Sequence, residues 1–234
     1  MEIGGDRLCA KVGEGVIDEA EGLACLRRVR GAPTVPETIF VDSDLLVTRW
    51  VAQGARTASH EERLGRRLAF LHAAPWPEWG GGSGWIGSCP VDNRTAADGP
   101  AFYSHRLSDL ARRCRLSQPV EGVICRLDLL LPPATPALVH GDLWWGNILW
   151  GADREPWLID PSVHGGHPEE DLAMLALFGV VPDRLLGAYR EVIDLEDGWD
   201  ERTGLFQLYP LLVHAVLFGG GYLAQAETTA RRYL

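Results

Sequence analysis

His140-Gly141-Asp142-Leu143-Trp144-Trp145-Gly146-Asn147 is the stretch that decides the fold. It satisfies the spacing H-x-D-x-x-x-x-N of a phosphotransferase catalytic loop. There an aspartate accepts the proton of an attacking hydroxyl, and an asparagine further along turns back to hold a magnesium ion. A second carboxylate must reach that metal from the next strand. Asp160 closes the apolar run Trp157-Leu158-Ile159, thirteen residues after Asn147, where a hairpin return would bring it. The spacing marks Asp142 as the candidate base and Asn147 and Asp160 as candidate metal ligands. A polar turn capping a hairpin, with Asp and Asn bonded to local backbone, would use the same residue types.

Outward from that loop, the basic residues are informative. Of 22, one is lysine: Lys11. Arginine replaces lysine freely on a solvated surface, but a site that needs a compact ammonium tolerates the exchange poorly. Leu8 to Val12 reads as a strand. Glu14 to Arg28 reads as a helix, with Val16, Ala20, Leu23 and Leu26 near helical spacing. In kinase-like folds a small-lobe strand carries a lysine onto the α- and β-phosphates, and a helix glutamate orients it. Glu19 follows Lys11 by eight residues, with Glu21 a rival, and either would also suit a solvated helix face. Thr38 to Val41 and Leu45 to Val51 read as strands joined by a turn at Asp42-Ser43-Asp44. The end of the second would be a hinge, where backbone groups near Arg49 and Val51 could pair with an adenine edge.

Ser59 to Ala73 is expected to be helical, with Leu64, Leu68 and Leu71 on one face. Trp76 to Asn93, rich in Gly, Pro and Trp, reads as an ordered loop. Ala101 to Leu116 and Val120 to Leu131 read as helices. Ile148-Leu149-Trp150 and Trp157-Leu158-Ile159 form a hairpin, and the chain from Pro168 on is mostly helical. The expected class is α+β and bilobal: residues 1–52 a small sheet with one helix, residues 53–234 a larger, mainly helical lobe. Gly82-Ser83-Gly84-Trp85-Ile86-Gly87 spells G-x-G-x-x-G, but Pro75-Trp76-Pro77 precedes it instead of a strand. It also falls after the lysine strand, which argues against a nucleotide loop.

The formal net charge of −10 argues against a nucleic-acid surface and against docking on anionic lipid. Five cysteines without a C-x-x-C pair exclude zinc-ribbon spacing and fit reduced thiols in a cytoplasmic protein. No charged-then-apolar leader opens the chain. Thr203 to Ala226 carries no charge, but Gln207, Pro210, His214 and Gly219-Gly220-Gly221 suit a buried helix better than a membrane span.

Several of these stretches together resemble the fructosamine/ketosamine-3-kinase family. They are His140 to Asn147, Leu158-Ile159-Asp160-Pro161, and Gly166-His167-Pro168-Glu169-Glu170-Asp171-Leu172-Ala173-Met174-Leu175. Trp199 with Arg202, Gln207-Leu208-Tyr209-Pro210-Leu211-Leu212, His214 and Leu217-Phe218-Gly219-Gly220-Gly221-Tyr222 join them, as do Ile86-Gly87, Pro90, Asn93, Phe102 and Arg106-Leu107. The resemblance runs from about Arg7 to the C-terminus. It implies a protein-kinase-like bilobal fold, ATP with Mg2+, and phosphorylation of the 3-hydroxyl of a ketosamine, small or protein-bound. The adduct then decomposes and frees the amine. By motif position it gives Asp142 the base role, Asn147 and Asp160 the metal, and Lys11 with Glu19 the phosphate clamp. His140 and Asp171 would support the catalytic loop, and Trp144 and His214 would face substrate.

The chain departs from the family pattern in two places. Ser83-Gly84 stand where the family has an Asp-Asn pair, and Val91 stands for a Gln, so sugar preference is expected to differ. Ten residues precede Lys11, so the small lobe is expected to be incomplete, without a glycine-rich loop before the lysine strand. Two other functions stay open: a kinase of another hydroxylated amine such as an aminoglycoside, and a truncated pseudokinase that binds without transfer.

Overall fold

The structure, a computed structural model, describes residues 2, 3, 6–82, 84–114 and 118–234. Ser83 of the glycine-rich run and Leu116 at the expected end of a helix lie outside these residues. The chain opens with strands β1 (Glu2–Ile3) and β2 (Asp6–Val12), helix α1 (Val16–Arg28), and strands β3 (Thr38–Val41) and β4 (Leu45–Arg49). The strands form one sheet in the order β1-β2-β4-β3, with Lys11 of β2 opposite Leu46 of β4. Helix α1 begins two residues later than its periodicity predicts, because Gly13 and Gly15 turn the chain at φ 145° and 77°. Its Val16, Ala20, Leu23 and Leu26 are buried, and Glu21 is exposed.

Helix α2 (Ala58–His72) is capped by the Thr57 hydroxyl, which accepts the His60 N–H at 3.3 Å. The segment expected to be a loop contains a hairpin, β5 (Gly84–Ile86) and β6 (Cys89–Val91). Strands of three residues are too short for an alternating pattern to show in sequence. Helices α3 (Gly99–Cys114), α4 (Gln118–Ile124) and α5 (Leu127–Leu130) come next. The expected helix Val120 to Leu131 is therefore two helices. The chain leaves helical geometry at Arg126, whose guanidinium donates to the Tyr233 carbonyl at 2.8 Å.

Strands β7 (Ala137–Val139), β8 (Ile148–Trp150), β9 (Pro156–Leu158) and β10 (His164–Gly166) frame the decisive loop. β8 and β9 make the expected hairpin, with Ile148 opposite Leu158. β7 finds its partner in β10, with Val139 opposite His164. His-Gly-Gly has no strand signature of its own; pairing satisfies the backbone groups of buried β7. Helices α6 (Glu169–Leu177), α7 (Asp183–Arg190), α8 (Trp199–Phe218) and α9 (Gly221–Ala230) complete the fold. The uncharged stretch is thus two helices, divided at Gly219 and Gly220 with φ 68° and 53°. No helix among the described residues is long and apolar enough to cross a membrane.

Two apolar clusters hold this frame. One gathers Phe102, Tyr103 and Leu107 of α3, Val120 and Val123 of α4, and Leu208, Leu211 and Leu212 of α8. The other joins Val16, Leu23 and Leu26 of α1 and Leu46 of β4 to Leu64 and Leu68 of α2, with Leu143, Ile148 and Leu158 beside the loop. Helix α1 and strand β4 therefore share a core with α2 and with the β8–β9 hairpin that carries the candidate site.

Helices α2 and α7 approach closely at Gly65, where a Cβ would come within 2.1 Å of the Leu185 carbonyl oxygen. Backbone cannot yield as a flexible side chain does, so Gly65→Ala is expected to lower stability by about 1–3 kcal/mol. Urea unfolding checks this: an unchanged midpoint would contradict the close packing.

Candidate active site

The decisive loop is held from beneath by Asp171, which is 0% exposed. Its Oδ2 accepts the His140 N–H at 2.8 Å, and its Oδ1 accepts the Gly141 N–H at 3.0 Å. His72 Nε2 lies 3.1 Å from the same Oδ2, and His72 Nδ1 lies 2.8 Å from the Tyr189 hydroxyl. Burial opposes the charge on Asp171, but the hydrogen bond and charge of His72, followed by His140 and its backbone N–H, outweigh it. The carboxyl is held below its ordinary range.

His140 is also fully buried and faces the other way. Its Nδ1 accepts the Asp142 N–H at 3.3 Å, and its Nε2 donates to the Ile159 carbonyl at 3.0 Å. Burial lowers its pKa, so the ring is neutral, with its proton on Nε2. It ties the loop to the residue before Asp160, and the Ser162 N–H returns to the His140 carbonyl at 2.9 Å. This crossing needs a glycine. Gly141 sits at φ 81°, and a Cβ there would lie 2.1 Å from the Ser162 carbonyl oxygen.

Asp142 emerges from this support almost covered, at 8% exposure. Asn147 Nδ2 donates to its Oδ2 at 3.2 Å and to its main-chain oxygen at 2.8 Å. Burial pushes the Asp142 carboxyl up to about 7. Asn147 works against that rise, and the charges of Asp160 and Asp171 add to it. Because the Asn147 amide nitrogen makes both bonds, its oxygen is the atom left for a cation.

Asp160 ends the hairpin return as the spacing predicts, though in the left-handed region at φ 53°. For a residue with a Cβ this costs about 1–2 kcal/mol, which the surrounding bonds must hold. Its side chain is 43% exposed and accepts from Lys11 Nζ at 3.2 Å. Lys11 Nζ also meets Glu19 Oε2 at 2.6 Å, so the helix partner is Glu19 and not Glu21. Burial opposes charge on Lys11, but Glu19 and then Asp160 outweigh it and raise its pKa. Burial lifts Glu19 to about 7, against the hydrogen bond from Lys11. Among the described residues no three of His, Cys, Asp or Glu are grouped to enclose a metal ion. One carboxylate and one amide oxygen are hard donors that suit Mg2+ completed by water and phosphate oxygens, and they do not suit zinc.

Three cavities run in series through these residues. The first is lined by apolar Leu23, Leu46, Leu149 and Ile159, with Val51 at its side, and ends at Lys11, Glu19 and Asp160. Those three also line the second cleft, which reaches Asp142. Asp142 in turn lines the third, beside Ile86, Tyr209 and His214. At the expected hinge the two residues differ. The Arg49 N–H is taken by the Glu37 carbonyl at 2.9 Å, whereas Val51, beyond the end of β4, is outside the strand ladder. Of the two expected substrate residues, His214 lines the third cavity. Trp144 is 40% exposed near its rim, with its ring 6.0 Å from Phe178, which is 5.0 Å from His214.

Sequence reading missed His72 and Tyr189, which back Asp171, and, although Arg106 and Glu170 carry the family resemblance, gave no role to the buried Arg106–Glu170–His164 group. Glu170 Oε2 lies 3.0 Å from Arg106 and 3.1 Å from His164. The one available signal was a polar side chain on an otherwise apolar helix face: His72 after Leu64, Leu68 and Leu71, and Arg106 between Phe102 and Leu110.

A buried aspartate loop facing a lysine–glutamate pair across a cleft, on this α+β frame, defines a small-molecule kinase of protein-kinase-like fold. The family described as fructosamine kinase matches residues 12–234, and the chain belongs to that family. A Synechocystis protein named a probable ketoamine kinase is 34% identical over 229 residues, covering 92% of this chain and 76% of its own. A chloroplastic protein-ribulosamine 3-kinase of Oryza sativa is 35% identical over 189 residues, 74% of this chain and 54% of its own. A crystal structure from Thermobifida fusca, assigned as a fructosamine-3-kinase, superposes with a TM-score of 0.90 at 40% identity. It covers 99% of this chain and 87% of its own.

The raised Asp142 carboxyl has a consequence for stability. A carboxylate whose folded pKa of about 7 exceeds its unfolded value near 3.8 keeps its proton in the folded state. Its contribution to stability therefore falls as pH rises between those values. Asp142→Asn removes that penalty and is expected to stabilise the fold by up to about 4 kcal/mol at pH 8, with the gain vanishing near pH 4. Melting curves across pH check this. A variant less stable than the parent at pH 8 would show that the carboxylate is not under electrostatic stress.

Proposed function

We propose that this chain transfers the γ-phosphoryl group of ATP to the 3-hydroxyl of a ketosamine, and that decomposition of the phosphorylated adduct frees the amine. The observation that carries this reading is the series of three cavities with Asp142 at the junction of the second and third. A phosphoryl donor and a hydroxyl acceptor laid in adjoining clefts would meet at Asp142, the carboxylate that lines both. The names of the relatives, ketoamine kinase and ribulosamine 3-kinase, support the acceptor class.

Residues 1–52 would supply the nucleotide side and residues 53–234 the acceptor side. The adenine would lie among Leu23, Leu46, Val51 and Leu149. Lys11, held in place by Glu19, would bear on the α- and β-phosphates as a point charge. Asn147 and Asp160 would hold Mg2+, which when bound neutralises charge on the β- and γ-phosphate oxygens. Asp142 accepts the proton of the 3-hydroxyl as the oxygen attacks. Its pKa near 7 matches the demand on a base working at neutral pH. Asn147 fixes the Oδ2 side of that carboxylate, and Asp171 fixes the backbone that carries it. His214, with Trp144 near the rim, would face the substrate. The acidic net charge of −10 suits a cationic amine adduct. The five unpaired cysteines fit a cytoplasmic location.

Asp142→Asn is expected to retain Mg-ATP binding but to lose about 10²–10⁴-fold in turnover on a fructosamine acceptor. In the parent chain, turnover should fall as pH drops below about 7, where Asp142 takes up its proton. Near-normal turnover in the variant, or a flat profile between pH 5 and 8, would remove Asp142 from the base role. Lys11→Arg replaces a point charge with a broad plane. It should leave the melting temperature of the free chain unchanged and abolish most ATP-induced stabilisation, as read by thermal shift. Equal shifts in both proteins would contradict the clamp.

A further inference from the structure

We propose that the turn of the β5–β6 hairpin, Gly87-Ser88, binds the phosphoryl group in transit, through the Ser88 hydroxyl and the two turn N–H groups. This rests on the phosphotransfer reading above. Ile86 pairs with Cys89, which leaves Gly87 and Ser88 as a two-residue turn. Gly87 has φ 57°, and Ser88 is not among the non-glycine residues with positive φ. That is the pattern of a type II′ turn, which takes glycine first. Neither Gly87 nor Ser88 donates to a backbone carbonyl among the described residues.

The turn is placed where such donors would be used. Gly87 and Ser88, both exposed, line the cleft that holds Lys11, Asp142 and Asp160. Ile86, one residue earlier, lines the cavity on the far side of Asp142. The hairpin therefore straddles the junction at which a phosphoryl group would pass from donor to acceptor. It is anchored on three sides. A Cβ at Gly15, before α1, would come within 2.7 Å of the Trp85 ring. One at Gly84 would lie 2.7 Å from Ser162 Oγ, and one at Gly87 would lie 3.6 Å from Leu217 of α8. An element pinned to α1, to the segment after Asp160 and to α8 presents its turn with little freedom.

Charge in the cleft gives the reason such donors are needed. Among the described residues lining this cleft, Glu14, Glu19, Asp142 and Asp160 accompany one cation, Lys11, which Glu19 and Asp160 already engage. A phosphoryl group carrying spread negative charge would be repelled by these carboxylates. Preorganised N–H and O–H groups aimed at it offset that repulsion without adding an ionisable group. Gly87, the last glycine of the G-x-G-x-x-G run that sequence context separates from a nucleotide loop, thus stands on the phosphate side of the cleft.

The test compares two nucleotides that differ at the third phosphate. Calorimetry with Mg2+ measures binding of the β,γ-imido analogue of ATP and of ADP to the parent chain, Ser88→Ala and Ser88→Thr, alongside turnover. The expected result for Ser88→Ala is an analogue affinity about fivefold weaker, ADP affinity within about twofold of the parent, and kcat about tenfold lower. Ser88→Thr, which keeps the hydroxyl, should restore both. Equal weakening of both nucleotides would make the turn a structural element only and overturn the proposal. So would unchanged analogue binding and turnover in Ser88→Ala. A parent chain that binds neither nucleotide would overturn the phosphotransfer reading itself, and this assignment with it.

Discussion

One buried carboxylate holds the rest in place. Asp171 takes the His140 N–H, the Gly141 N–H and His72 onto its two oxygens, with no exposure to solvent. Two successive backbone N–H groups pointing down into one carboxylate force the chain over it, and only glycine can occupy the second position. From that bend, Asp142 is delivered to the junction of two clefts. His140 carries the same constraint sideways to Ile159, and so to Asp160. Asp142 and Asp160, the proposed base and metal ligand, are thereby fixed by one set of hydrogen bonds.

That arrangement places like charges close together and away from water. Asp142 lies near Asp160 and Asp171, and Glu19 lies near Asp160; burial raises both Asp142 and Glu19 to about 7. A fold selected for stability alone would not keep these carboxylates together, nor hold Asp160 at φ 53°. The stress is confined to residues facing the cleft. Behind them the apolar cluster formed by Leu23, Leu64, Leu143, Ile148 and Leu158 is continuous. A rigid apolar base under a strained polar surface is the physical condition for pre-arranged charge, which gives phosphoryl transfer most of its acceleration.

Legibility in the sequence depended on the range of the interaction. The loop, the hairpin and the lysine strand were readable because their residues are neighbours in sequence or repeat with a period. The pairing of Lys11 with Glu19 was half readable: helical spacing admitted Glu21 as well, and the turn set by Gly13 and Gly15 decided between them. β10 was not readable, because His164-Gly165-Gly166 becomes a strand only when Val139 needs a partner. The break at Arg126 depends on Tyr233, at the far end of the chain. The roles of His72 and Tyr189 depend on helices α2 and α7 meeting behind the loop. The glycine-rich run was judged by its neighbours in sequence, whereas its place beside Lys11 is set by Gly15 and α8, remote in sequence.

We propose that the support beneath the loop, by burying Asp142 among other carboxylates, makes it a base at neutral pH. Carboxyl 13C NMR of aspartate-labelled protein, titrated between pH 3 and 9 and assigned by comparison with Asp142→Asn, measures this directly. The predicted result is a resonance, absent from the variant, that titrates with a midpoint near 7. An Asp142 carboxyl that titrates near 4, with the ordinary solvated aspartates, would contradict the account.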